Sequence, residues 1–153
     1  MSFATIGAAW FAHTVITENL DHADSVFVRL NLILMLVVSF LPFPTRLLAE
    51  FVHAAGSERV AATVYGINLL LSMAMISVVW RYAVHADLVR PDLADADLQT
   101  LTKRLTPTLG VYLAMILIGL VLPVVAVFGY LALALLVLLP IRAMRRRSRS
   151  RSR

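Results

Sequence analysis

The chain has 153 residues, of which 60% are hydrophobic and 15% charged, and its mean hydropathy is +0.84. That is far above what a water-soluble domain of this size carries, and it leaves an integral membrane protein. Seven of the fourteen basic residues lie in the last twelve positions, so the net charge of +5 becomes −2 without that tail. The absence of cysteine excludes disulfides, thiolate metal sites and thiol nucleophiles.

A bilayer's hydrocarbon layer is about 30 Å thick and takes roughly 20 apolar residues per helix. Five stretches approach that pattern. The first, Ser2 to Thr17, is short and has neither the basic leader nor the small-residue cleavage site of a signal peptide. The second, Leu30 to Ala49, is expected to end at Pro42 and Pro44 within SFLPFPT. The third, Val60 to Val84, is uncharged as far as Trp80 and meets Arg81 at an aromatic and basic membrane boundary. The loop after it, Arg81 to Lys103, mixes Asp87, Asp92, Asp95 and Asp97 with leucines. It reads as a solvated acidic loop or a short interfacial helix, since it lacks the glycine and terminal glutamate of a calcium loop.

The last apolar stretch, Thr106 to Ile141, carries no charge over 36 residues. As one helix it would be about 54 Å long and overshoot any bilayer. Pro123, near its midpoint, removes a backbone donor and biases Leu122 away from helix, so a tight turn is expected over Leu122 to Val125. Spans over Pro107 to Val121 and Val124 to Pro140 follow. The expected fold class is therefore all-α, a polytopic transmembrane helical bundle with five spans, followed by an Arg/Ser-rich disordered tail over residues 142–153.

Cytoplasmic flanks accumulate Lys and Arg. The tail, with Arg142, Arg145, Arg146 and Arg147 at its start, places the C-terminus inside. Arg81, Arg90, Lys103, Arg104 and Arg29 then also fall inside, against only Arg46 and Arg59 outside. Five spans leave the N-terminus outside without a hydrophilic leader, so the ladder calls for one more helix upstream, six in all. The tail's arginines serve as topology anchors and contacts for anionic lipid headgroups; no nucleic-acid partner is expected.

Polar groups within spans mark helix interfaces or paths. Trp10, His13 and Thr17 share one face of the first span, and Asn31 and Ser39 one face of the second. On the third, Tyr65, Asn68, Ser72 and Trp80 form a helix-interface stripe. Hydrogen bonds between helices are the ordinary use of such stripes, at roughly 0.6 kcal/mol each. The histidines lack zinc-protease spacing and no catalytic triad or phosphate cradle appears, so neither an enzyme nor a cofactor is expected.

The pattern Ser2, Phe3, Ile6, Gly7, Trp10 and His13, followed by LNLILMLVVSFLPFPTRLLAE and the closing hairpin with Pro123 and Pro140, resembles the transmembrane protein 175 family of potassium channels in its short bacterial form. The resemblance implies a six-helix unit, four of which surround a pore in the plasma membrane as a homotetramer passing potassium ions. It also implies a pore-lining first helix with a Phe-Ser-Asp signature, which this chain does not contain. Trp10, His13, Asn31 and Ser39 then become supports of that helix rather than pore residues. Where relatives carry a second histidine, this chain has Thr14. As given, the chain is expected to be an N-terminally shortened channel subunit that does not conduct. A non-conducting helical assembly protein and, further off, a secondary transporter are the competing readings.

Overall fold

The computed structural model describes residues 2–51, 57–91 and 95–138, with side chains described for all of these except 2, 95–101, 103–106 and 137–138. The expected tail anchors Arg142, Arg145, Arg146 and Arg147, together with Asp92 and Pro140, lie outside the described residues. The structure is all-α. Its helices are α1 (Ser2–Glu18), α2 (Ser25–Ser39), α3 (Pro42–Phe51), α4 (Ser57–His85), α5 (Asp95–Val121) and α6 (Pro123–Leu138). Two stretches are long and apolar enough to cross a membrane, Ser25–Phe51 and Ser57–His85; Pro107–Val121 and Pro123–Leu136 are apolar but shorter.

The central helix is α4, with 56% of its apolar window buried against 17% for Ser25–Phe51. The cause is its stripe of Ala61, Tyr65, Asn68, Leu69, Ser72, Ile76, Val79 and Ala83, which recurs every three or four residues and is buried throughout. Ile67, Leu71 and Val78 occupy the opposite, exposed face. Small residues allow close packing around it. On α1 the buried positions include Thr5, Ala8, Ala9 and Ile16, spaced as one helix face, whereas Phe3 and Trp10 point outward.

The prolines of SFLPFPT play a different part from the expected one. They do not stop the chain's course: α2 already ends at Ser39, capped by Phe40, and Pro42 opens α3 with Pro44 buried in its first turn. The first turn of a helix has no use for its N–H groups, which is why proline is tolerated there and not in an interior. Leu41 N–H turns to the Val38 carbonyl, and the Leu41 carbonyl accepts from both the backbone N–H and the hydroxyl of Thr45. The result is one membrane-length element broken in the middle.

The reversal near Pro123 is tighter than Leu122 to Val125. Leu122 alone is non-helical; its N–H closes α5 onto Ile118 and its carbonyl accepts from Ala126 in α6. The hairpin closes on small residues. A Cβ on Gly119 would lie 3.2 Å from that of Ala126. The apolar segment runs over Pro107–Val121 as expected, but the helix that carries it, α5, begins earlier, at Asp95, and runs through Pro107. Part of the acidic segment is thus helix continuous with the apolar stretch, not a separate interfacial helix.

Candidate functional site

Helix α1 approaches α2 through one polar pair. His13 Nε2 donates to Asn31 Oδ1 over 2.7 Å, which requires the tautomer protonated at Nε2. Both side chains are half-buried. Trp10, one turn earlier, leans its ring over His13 with centroids 5.7 Å apart while remaining 62% exposed. The Thr14 and Thr17 hydroxyls bond back to carbonyls of their own helix, so Thr17 adds nothing across the interface. Ser39, expected beside Asn31, does not join the pair: it is exposed and donates to the Leu36 carbonyl of its own turn. Eight residues put it on the right face but more than two turns away.

The α4 stripe divides in the same way. Asn68 crosses to α2, where its Nδ2 donates to the Val37 carbonyl over 3.4 Å. The reason is the break: Leu41 N–H, the helical partner of that carbonyl four residues on, is engaged with Val38 instead. An α4 side chain thus satisfies a backbone acceptor loosened where α2 gives way to α3. Ser72 is buried but bonds within α4, to the Asn68 carbonyl, so it is a packing residue and not an interhelical donor. Tyr65 donates to Thr5 of α1 over 3.4 Å, and Trp80 Nε1 to Thr102 of α5 over 3.0 Å.

Two groupings were not read from the sequence. Tyr65, Tyr112 and Tyr130 form an aromatic cluster between α4, α5 and α6, with Tyr65 edge-on to Tyr130 at 5.7 Å and Tyr112 parallel to it at 6.5 Å. The Tyr130 hydroxyl is buried without a partner, as is Asn68 Oδ1. The other grouping is a polar junction where α1 meets α2 and α4 ends. Asp24 caps α2 by accepting from Phe27 N–H over 2.7 Å, and its other oxygen accepts from the Tyr82 hydroxyl of α4. Beside it Asp21 N–H donates to the Leu88 carbonyl and Arg90 N–H to the Asn19 carbonyl, an antiparallel bridge centred on Leu20 and Val89. The chain reaches this bridge by leaving α4 through Asp87 at φ 53°, with Leu88 N–H returning to the Ala83 carbonyl. Aspartate is among the few residues that adopt this left-handed conformation readily.

Asp24 preceding an apolar run is an N-cap visible in the sequence; its tyrosine partner, 58 positions on, is not. The Tyr82 bond, followed by that of Phe27 N–H, holds the Asp24 carboxyl below its ordinary value. His13, Asn68, Tyr65, Trp80 and Tyr82 each brace one helix against another, and among the described residues no three His, Asp or Glu side chains gather as metal ligands.

Residues 1–42, which hold His13, Asn31 and Asp24, match the family described as "Endosomal/lysosomal potassium channel TMEM175". A potassium channel of Chamaesiphon minutus is 36% identical over 115 residues, covering 73% of this chain and 55% of that protein. The fold agrees as well: the crystal structure of a lysosomal potassium-selective channel TMEM175 homolog from Chamaesiphon minutus superposes with a TM-score of 0.80 at 28% identity, over 90% of this chain and 69% of that one. The chain belongs to the transmembrane protein 175 family. This is a family of ion channels and not of enzymes. A second member, a potassium channel of Streptomyces collinus, is 30% identical over 80 residues, 52% of this chain and 39% of that protein. The chain spans about half or less of the length of these two sequence relatives.

Proposed function

We propose that the chain is a subunit of a potassium-permeable channel and that its helices form the scaffold around a pore-lining element. The observation that carries this is the His13–Asn31 bond at 2.7 Å, on a half-buried face flanked by exposed Trp10 and Phe3, within the segment matched by the family model. Such a face supports a neighbouring helix through hydrogen bonds; it does not itself coordinate ions. Selectivity then comes from a narrow apolar constriction and ion hydration, as no TVGYG-type carbonyl filter is present in the sequence. Four subunits around one pore, a plasma-membrane location and a cytoplasmic C-terminus complete the reading, supported respectively by the family resemblance, the two membrane-length stretches and the arginine ladder.

The test is potassium flux into liposomes. A chimera in which these 153 residues replace the matching part of the Chamaesiphon relative is expected to pass potassium over sodium. In the chimera, His13→Ala is expected to lower flux at least tenfold while the protein still inserts and purifies as an oligomer. Silence from the chimera despite correct insertion would favour the competing reading, a non-conducting assembly protein.

A further inference from the structure

Of the fourteen basic residues, seven lie in RAMRRRSRSRSR, residues 142–153, a stretch without a single carboxylate side chain. The fold fixes the face at which α6, the helix before it, comes to its end. Trp80, near the end of α4, bonds to Thr102, near the start of α5, and α5 then runs away to the reversal at Leu122. Helix α6 returns from there and packs along α1, so its far end comes back to the side where Asp24 meets Tyr82. On that side Glu18, Asp21, Asp24 and Asp87 nearly offset the exposed Arg29, Arg81 and Arg90, so the seven further arginines are what makes the face cationic. Clusters of four to eight such cations directly beside a membrane helix bind anionic lipid headgroups.

The spacing of the serines adds a means of control. Ser148, Ser150 and Ser152 each stand between two arginines and have another three positions back, namely Arg145, Arg147 and Arg149. Basic residues at a fixed offset before a serine are the charge pattern by which kinases with an acidic groove choose substrates. A phosphate on each serine brings a charge of about −1.5 to −2, so three of them take the segment from +7 to between about +1 and +2.5. The arginines then pair with the neighbouring phosphates, and too little charge is left to hold a membrane surface. We propose that residues 142–153 are an electrostatic switch, bound to anionic phospholipid headgroups when unmodified and released when a basophilic serine kinase phosphorylates Ser148, Ser150 and Ser152. In that step each serine Oγ bonds to the terminal phosphorus of a nucleoside triphosphate, the bond to the departing diphosphate breaks, and the hydroxyl proton passes to the kinase's base. The switch rests on the cytoplasmic placement of the tail proposed above and not on conduction.

Because the chain has no cysteine, Arg153→Cys carries a single fluorophore on the full chain, placed in nanodiscs whose lipids bear headgroup nitroxides. Quenching is expected to be at least about threefold stronger with phosphatidylglycerol present than in phosphatidylcholine alone. A basophilic serine kinase with ATP is expected to add phosphate to the three serines, counted by intact mass, and to return quenching to the phosphatidylcholine level. The triple variant Ser148→Ala, Ser150→Ala, Ser152→Ala is expected to keep its quenching through the same treatment. Equal quenching in the two lipids, no uptake of phosphate, or quenching that survives full phosphorylation would each overturn the proposal. So would loss of quenching on adding a short RNA at the same concentration of negative charge, which would show a preference for nucleic acid over a membrane surface. Both faces of a nanodisc are open, so a tail on the wrong side of the membrane would leave these results intact and fail only a test of sidedness.

Discussion

Asn68 illustrates how a single side chain is assigned its partner by a backbone defect elsewhere. The Val37 carbonyl is left over where Leu41 N–H bonds to Val38, and the carboxamide takes it. Asn68→Leu keeps the branched shape and removes the donor, and it is expected to destabilise the folded chain by about 1 kcal/mol, because the Val37 carbonyl loses its donor while the partnerless Oδ1 leaves as well. Unfolding by SDS titration in mixed micelles measures this; a change within a few tenths of a kcal/mol would mean that the carbonyl finds another donor. Asp24 makes a prediction of a different kind. Its folded-state pKa is depressed by Tyr82 and Phe27 N–H, so its contribution is present above its unfolded value near pH 4 and is lost as pH falls through the folded value. Melting curves between pH 6 and pH 3 are expected to show an acid-side loss of stability that shrinks in Asp24→Asn, which can still cap α2 but has no charge to lose.

At the scale of elements, the packing of α4 against α6 depends on Gly66. A Cβ there would lie 2.2 Å from the Tyr130 hydroxyl, 2.8 Å from its ring and 2.9 Å from Ile116. Tyr130 cannot retreat, because it is wholly buried between Tyr65 and Tyr112. Gly66→Ala is therefore expected to cost about 1–3 kcal/mol through overpacking. Gly129 provides the contrast: its added Cβ would clash with the tip of Met115, a flexible chain that can swing away. Gly129→Ala is accordingly expected to melt close to the parent chain, and Gly7→Ala, which meets nothing within 4 Å, to be indistinguishable from it apart from propensity. Thermal melts of the three variants in one detergent check the ranking, and an equal effect at Gly66 and Gly7 would refute the packing argument.

Across the whole molecule, α2 is held to its neighbours at three heights. Asp24 fastens its beginning to Tyr82, Asn31 fastens it to His13, and Val37 near its end receives Asn68. Orientation of this assembly rests on charge, so cysteines placed at Ser148 and Ser57 are expected to be labelled by impermeant maleimide from opposite sides, Ser148 only after the cytoplasmic face is opened. Labelling of both from the same side would invalidate the inside placement of the tail.

Hydropathy and charge alone dictated a helical membrane protein, because backbone polar groups in lipid are satisfied only within helices or closed barrels, and long uninterrupted apolar runs fit helices and not the alternating strands of a barrel. Local chemistry went further in places: the apolar run too long for one helix required a reversal at Pro123, and a histidine and an asparagine within apolar helices required partners. Which partners these were, and which polar residues turned back onto their own helix as Ser39, Ser72 and Thr17 do, depended on rotation and depth that a repeat of three or four residues does not encode. The same holds for the helical restart at Pro42 and for the junction of Leu20 with Val89, both missed in the sequence. A proline's missing donor can end one helix or begin the next with equal local sense, and contacts between turns 69 positions apart exist only once α4 has brought its end beside α2.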